Sequence, residues 1–273
     1  GSSFITLTSR NGLPGDGVFT ILHDRDGRYW FGTENGLVAM NVDTKDPKKT
    51  TVVVPETGIP SKLIRTLYQD KSGTIWIGTR DAGLFLYTPS RVDTVLGKYS
   101  HYDKTNGLPD NFVYTLYHDH SGSMWVGTYG GGVAKFVPGS KPQNNRRFIV
   151  YNRSNGLLNN FVMSICEDGD GTFLFGTNGN GVSLLKPSGF QLYSKDNGLP
   201  GNVVFSVFQD TDGSYWFGTD EGLARLVPPS GAQTQPVVTS FGSVSALGNK
   251  PVSSIASDGK GRLLIGMKNG GVT

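Results

Sequence analysis

The chain has one cysteine, Cys166, four histidines, and no run of 18 apolar residues. A lone thiol excludes an intramolecular disulfide framework and any Cys-x-x-Cys metal or redox pair. Without a long apolar run, these residues contain no membrane-spanning helix. Charge is scarce as well: Asp, Glu, Lys and Arg make up 17% of 273 residues, against about 25% in an average soluble domain. The net charge is +3. The nearest approach to a basic cluster is Lys45, Lys48 and Lys49, with Arg146 and Arg147 elsewhere. Both groups sit in polar, turn-like stretches, which argues against a nucleic-acid surface. No segment repeats apolar residues at the helical period. What the sequence has instead is glycine, 39 residues, and aromatics, 11%. A disordered chain would be poorer in aromatics and richer in charge. This balance fits an all-β domain with many tight turns.

The glycines and aromatics recur together. WFGTENGL begins at Trp30, WIGTRDAGL at Trp76, WVGTYGGGV at Trp125, LFGTNGNGV at Leu174, WFGTDEGL at Trp216 and LIGMKNGGV at Leu264. The glycine of each copy stands at 32, 78, 127, 176, 218 and 266, so the spacings are 46, 49, 49, 42 and 48 residues. Upstream of each copy lies an Asp-x-x-Gly turn, at Asp24, Asp70, Asp119, Asp168, Asp210 and Asp258. Farther upstream come NGLP from Asn11, TGIP from Thr57, NGLP from Asn106, NGLL from Asn155 and NGLP from Asn197. The sixth copy has only SALG there, from Ser245.

Each unit parses into four short strands. Runs such as VFTILHD are rich in β-branched and aromatic residues and read as strand a. Asp-x-x-Gly is a hairpin turn, because Asp bonds the local backbone and Gly accepts positive φ. RYWFGT and its relatives form strand b, and GLVAMN, GLFLYT and GVAKFV form strand c. After a variable polar stretch, YSHY, FIVY and FQLY form strand d. Four short strands repeated every 42–49 residues are the signature of a β-propeller blade. The expected fold is therefore an all-β propeller of six four-stranded blades, forming a single domain over residues 1–273. FITLTSRN at residues 4–11 matches a strand d and its following Asn. Residues 4–8 are thus expected to complete the last blade, whose own chain runs out in strand c. A piece of a seven-bladed ring is the alternative.

The ordered combination NGLP…V…D…G…W-x-G-T…GL resembles the two-component regulator propeller repeat, and it spans almost the whole chain in six units. The resemblance implies a non-catalytic, ligand-sensing ectodomain of a bacterial membrane-bound regulator, of the kind attached to hybrid histidine kinases or diguanylate cyclases. It implies a periplasmic or extracellular location and, for some members, oligosaccharide ligands. Any membrane association is expected only through segments outside this chain.

A residue type filling the same slot in every unit is explained by blade geometry. The Trp/Leu slot reads as packing between blades, and the NGLP Asn and Gly read as turn formers. The Asp-rich turns lack the later ligands of a calcium loop. His118 and His120 flank a turn without an evident third ligand and read as surface histidines. Cys166 reads as a buried, inert thiol. No catalytic residues, metal or cofactor are expected. The slots that differ between units are free for recognition. Those in the turn between strands b and c carry Arg80, Tyr129, Asn178, Asp220 and Glu221, among others; those just inside strand a carry Arg65 and Tyr114. Guanidinium, aromatic and amide groups suit a polyhydroxylated ligand, with rings stacking on C–H faces and polar groups taking hydroxyls. Arg65, Arg80, Tyr114 and Tyr129 are therefore the expected ligand wall, with Asn178, Asp220 and Glu221 opposite. The expected partner is a small molecule or oligosaccharide, with another protein as the alternative, and no nucleic acid. A metal-dependent propeller lyase or hydrolase, and a protein-interaction scaffold, are the competing functional classes.

Overall fold

The Asp-x-x-Gly turns of the first five blades close with the same two backbone bonds, and the aspartate serves several further donors. In the first turn the backbone N–H groups of Asp26 and Arg28 donate to Asp24 Oδ1 at 3.0 and 2.8 Å. The turn closes with Asp24 N–H on the Arg28 carbonyl and Gly27 N–H on the Asp24 carbonyl. Gly27 adopts φ +81°, a left-handed conformation that side chains disfavour. The same pair of backbone bonds recurs at Asp70, Asp119, Asp168 and Asp210.

In the computed structural model the described residues are 6–43, 45–46, 49–54, 59–61, 63–90, 97–137, 147–231, 234–241, 247–268 and 270–273. They form antiparallel meanders in which each strand pairs with its neighbour along the chain. The first sheet is β1 (Val18–His23), β2 (Tyr29–Thr33), β3 (Gly36–Asn41) and β4 (Thr51–Val54). The second is β5 (Ile64–Gln69), β6 (Ile75–Thr79), β7 (Leu84–Thr88) and β8 (Lys98–Tyr102). The third is β9 (Val113–His118), β10 (Met124–Thr128), β11 (Val133–Phe136) and β12 (Phe148–Tyr151). The fourth is β13 (Val162–Glu167), β14 (Phe173–Thr177), β15 (Val182–Lys186) and β16 (Gly189–Tyr193). The fifth is β17 (Val204–Gln209), β18 (Tyr215–Thr219), β19 (Gly222–Val227) and β20 (Val237–Ser240). The sixth has three strands, β21 (Val252–Ser257), β22 (Leu263–Met267) and β23 (Gly271–Val272). Helical structure among the described residues is confined to three-residue 3-10 turns. The fold is a β-propeller of six blades. Its strands fall into two compact units, Gly1–His118 with Val137–Phe148, and Asp119–Phe136 with Ile149–Thr273.

Of the strand expected at residues 4–8, Phe4 and Ile5 lie outside the described residues, and with them the expected pairing to the sixth blade. Thr6–Thr8 carry no strand assignment. Leu7 packs on Leu13, Phe31, Val38 and Met40 of the first blade.

The Trp slot holds neighbouring blades together. Trp30 is fully buried and clusters with Ile64, Ile77, Phe85 and Tyr87 of the second blade. Trp125 lies 4.2 Å from the Phe173 ring and 5.7 Å from that of Phe175, both on the fourth blade. Each indole also donates Nε1–H to the Oδ2 of its own turn aspartate: Trp30 to Asp24 at 2.7 Å, Trp76 to Asp70 at 2.8 Å, Trp125 to Asp119 at 2.9 Å and Trp216 to Asp210 at 3.2 Å. The glycine two residues on is fixed by close approach. A Cβ on Gly78 would stand 2.5 Å from Thr66 Cγ2 and 2.6 Å from Val113 Cγ1 of the next blade. The threonine after it closes the turn to strand c, as in Thr79 Oγ1 donating to the Gly83 carbonyl at 2.8 Å.

The NGLP segment is a capped 3-10 turn. Asn106 Oδ1 accepts the Asp103 N–H, and its Nδ2 donates to the His101 carbonyl of strand d. Gly107 follows at φ +107°, and Leu108 is buried behind it. Asn155 and Asn197 repeat both bonds.

Candidate functional site

A β-bulge sits at the start of strand a wherever its register to strand b is described. Val18 faces Thr33 while Thr20 faces Gly32, leaving Phe19 as the extra residue. Arg65, Met163, Phe205 and Ser253 are the extra residues of the second, fourth, fifth and sixth blades. Tyr114 holds the corresponding position in β9. A bulge interrupts the alternation of the strand and re-aims the side chain it carries. The first of the two variable slots is thus a recurrent structural device whose side chain changes from blade to blade.

In the first unit the device brings three blades together. The Arg65 guanidinium lies 4.1 Å from the centre of the Tyr114 ring and 5.9 Å from that of Phe19. Arg80, in the turn after β6, lies 5.9 Å from the Phe112 ring. Phe112 and Tyr114 are 6.0 Å apart between centroids. The result is a row Phe19–Arg65–Tyr114–Phe112–Arg80 that combines two cations with three aromatic rings. Such contacts are each worth roughly 0.5–1 kcal/mol where solvent reaches them. Phe19 and Arg80 are exposed, while Arg65, Phe112 and Tyr114 are half-buried.

In the second unit Tyr129 stacks on Phe161 with centroids 4.2 Å apart and planes 15° from parallel. The Asn178 N–H donates to the Phe161 carbonyl at 2.9 Å, and the Asn178 carbonyl accepts Asn159 Nδ2 at 2.8 Å. The Asn178 side-chain amide makes no hydrogen bond among the described residues. Asp220 Oδ1 accepts the Val203 N–H at 3.1 Å, and Glu221 takes Lys195 Nζ on both oxygens at 2.9 Å. These two carboxylates are therefore engaged by the segment that joins β16 to β17.

Phe112 and Phe161 were not among the expected site residues. They occupy the slot immediately before strand a, which reads Gly17, Leu63, Phe112, Phe161, Val203 and Pro251. That slot varies as freely as the two that were singled out, and its variation was the available signal.

The histidines differ from the expectation of free surface groups. His118 stacks on Tyr68 at 5.6 Å. His120 Nδ1 lies 3.1 Å from Glu167 Oε2, which also accepts the His120 backbone N–H at 2.7 Å. The neighbouring blades use Gln69 and Gln209 in the same way, accepting the N–H groups of Arg25 and Gly169. Glu167 is thus one of a series of links between blades. Cys166 is half-buried, and burial pushes its thiol up to about 11. Among the described residues no three His, Cys, Asp or Glu side chains come together as metal ligands would.

Comparison with known proteins identifies the repeat. A model described as two component regulator propeller matches residues 12–35, 58–81, 107–130, 156–179 and 198–221. The chain carries the two-component regulator propeller repeat. Each match to the family's repeat begins at the glycine of the NGLP-type turn and stops in the turn after strand b. The propeller repeat thus covers strands a and b with their flanking turns, and all seven expected site residues fall inside the matched segments. No curated protein matches the chain in sequence. Among solved structures, the extracellular domain of BT3049 from B. thetaiotaomicron, described as a hybrid two component system, is 24% identical with a TM-score of 0.70, covering 94% of this chain and 33% of that one. The extracellular domain of BT4673 from the same organism, described as a one component system, is 24% identical with a TM-score of 0.69, covering 99% of this chain and 36% of that one. The chain thus spans about a third of the length of these two. Virginiamycin B lyase from Staphylococcus aureus shares the fold at 14% identity and a TM-score of 0.60, covering 94% of this chain and 83% of the lyase.

Proposed function

We propose that this chain is a ligand-sensing propeller domain of a bacterial membrane-bound signalling protein, displayed in the periplasm or outside the cell and without catalytic chemistry of its own. The ligand is an oligosaccharide, bound at the variable slots of strand a and of the turn between strands b and c. The single observation that carries the reading is the row of Phe19, Arg65, Tyr114, Phe112 and Arg80, in which Arg65 lies 4.1 Å over the Tyr114 ring. Blade geometry does not require these side chains, since the same slots hold Met163, Phe205 or Ser253 elsewhere. Aromatic faces suit the C–H faces of sugars, and guanidinium donors suit their oxygens. Tyr129 on Phe161, with the uncommitted amide of Asn178, offers the same chemistry in the second unit. The family match and the extracellular two-component neighbours support a sensor over an enzyme.

The test is calorimetric titration of the chain with a panel of neutral and acidic oligosaccharides, using wild type, Tyr114→Ala and Tyr129→Ala. At least one saccharide should bind wild type, and a variant should bind it at least about tenfold more weakly, or roughly 1.4 kcal/mol. Equal binding by all three proteins would remove these residues from the site. Absence of binding across the panel would overturn the oligosaccharide reading and favour a protein partner.

A further inference from the structure

We infer that the row in the first unit takes a carboxylate, so that the ligand is an acidic oligosaccharide carrying uronic-acid residues; this rests on the ligand-binding reading above. The observation is a pair of uncommitted guanidiniums. Arg28, Arg225 and Arg262 each close an ion pair, with Asp24, Asp212 and Asp258 respectively. Among the described residues, Arg65 and Arg80 make no hydrogen bond or ion pair through their side chains, only their contacts with aromatic faces. A guanidinium holds its N–H donors in one plane, in the fork that matches a carboxylate.

Three carboxylates of the turns before strand a and after strand b each accept a backbone N–H. Glu34 Oε1 accepts the Gly17 N–H at 3.0 Å. Asp110 Oδ1 accepts the Phe112 N–H at 2.8 Å, and Asp16 Oδ1 accepts the Ser9 N–H at 2.7 Å. Asp81 follows Arg80 in sequence, yet the two form no ion pair among the described residues. The side chains of the row thus offer two cationic donors and aromatic faces, with the Tyr114 hydroxyl the only acceptor atom among them. A neutral sugar presents donors and acceptors in equal measure and would leave its hydroxyl donors poorly served. A uronic acid presents a planar acceptor for each guanidinium and a C–H face for the rings.

The experiment compares each acidic oligosaccharide with its own methyl ester, which keeps the sugar backbone and masks the charge. Trigalacturonate and a hyaluronan hexasaccharide serve as probes, titrated calorimetrically into wild type and Arg80→Gln, with a neutral oligosaccharide panel alongside. The expected result is that one free acid binds wild type at least tenfold more tightly than its ester. Arg80→Gln should bring that ratio to within about twofold while leaving the melting temperature in place. Acid and ester binding equally well would overturn the carboxylate assignment and leave the ligand site standing. Binding by a neutral sugar alone would do the same. Failure of every saccharide, charged or neutral, would overturn both the assignment and the reading on which it rests.

Discussion

The hydroxyl of Tyr215 on the fifth blade donates to Oδ2 of Asp168 on the fourth at 2.5 Å. That oxygen is the one that receives an indole N–H at Asp24, Asp70, Asp119 and Asp210. The fourth blade has Leu174 in place of the tryptophan, so its buried aspartate draws its donor from the next blade instead. Removing the donor while keeping the ring should leave a buried carboxylate oxygen unpaired, at a cost of about 1–3 kcal/mol. Tyr215→Phe should therefore lower stability in denaturant titration, whereas Tyr87→Phe, whose ring packs on Trp30, should have a smaller effect.

Asp119 gives a pH dependence with a definite sign. Burial raises its carboxyl pKa, but Ser121 Oγ, Trp125 Nε1, the Ser123 N–H and Lys135 all favour the charged form and bring it from 3.8 down to about 2. A depressed pKa contributes stability that is complete above the unfolded value and is lost as pH falls through the folded one. Melting temperature should thus fall between pH 4 and pH 2. Asp119→Asn should be less stable than wild type at pH 7, with a smaller further loss over that acid range.

Gly78→Ala should destabilise although its backbone is of a kind that any residue adopts. The added methyl would meet Thr66 Cγ2 and Val113 Cγ1 at 2.5 and 2.6 Å, forcing two blades apart. Overpacking of this kind costs about 1–3 kcal/mol. Gly73→Ala places its methyl in open space, so its cost is only that of the positive φ. A larger loss at Gly73 than at Gly78 in thermal melts would contradict the close-approach account.

Cys166 should be nearly inert. With its thiol pushed up to about 11 by burial, roughly one in a thousand molecules carries the thiolate at pH 8, and the thiolate is the nucleophile. Iodoacetamide should label the folded chain at least a hundredfold more slowly than the urea-unfolded chain. Comparable rates would show that the thiol is exposed.

Blade boundaries, the turns and the inter-blade role of Trp30 and Trp125 were legible in the sequence because six copies repeat the same solution. The indole-to-aspartate bond was not, although both residues recur at a fixed separation of six. Side-chain direction across a hairpin depends on register, and spacing alone does not fix it. The bulge at Phe19 and Arg65 was hidden for the same reason. One inserted residue leaves no compositional mark, yet it decides where the variable slot points. Asp220 and Glu221 looked like free loop acids, and only the structure shows the Val203 N–H and Lys195 occupying them. Phe112 was overlooked because it precedes the apolar run of strand a and reads as part of the turn.

The central claim is that the recurring residues hold the blades while the bulge and turn residues are free for recognition. Its most direct measurement is the melting temperature of Arg65→Ala, Arg80→Ala, Tyr114→Ala and Tyr129→Ala beside Trp125→Ala, with no ligand present. Trp125→Ala should lose about 3–5 kcal/mol. Arg80→Ala should stay within about 0.5 kcal/mol of wild type, and the other three within about 1 kcal/mol, the value of the stacking contacts they give up. Losses at Arg65, Arg80, Tyr114 and Tyr129 as large as that at Trp125 would make them part of the scaffold and contradict the claim.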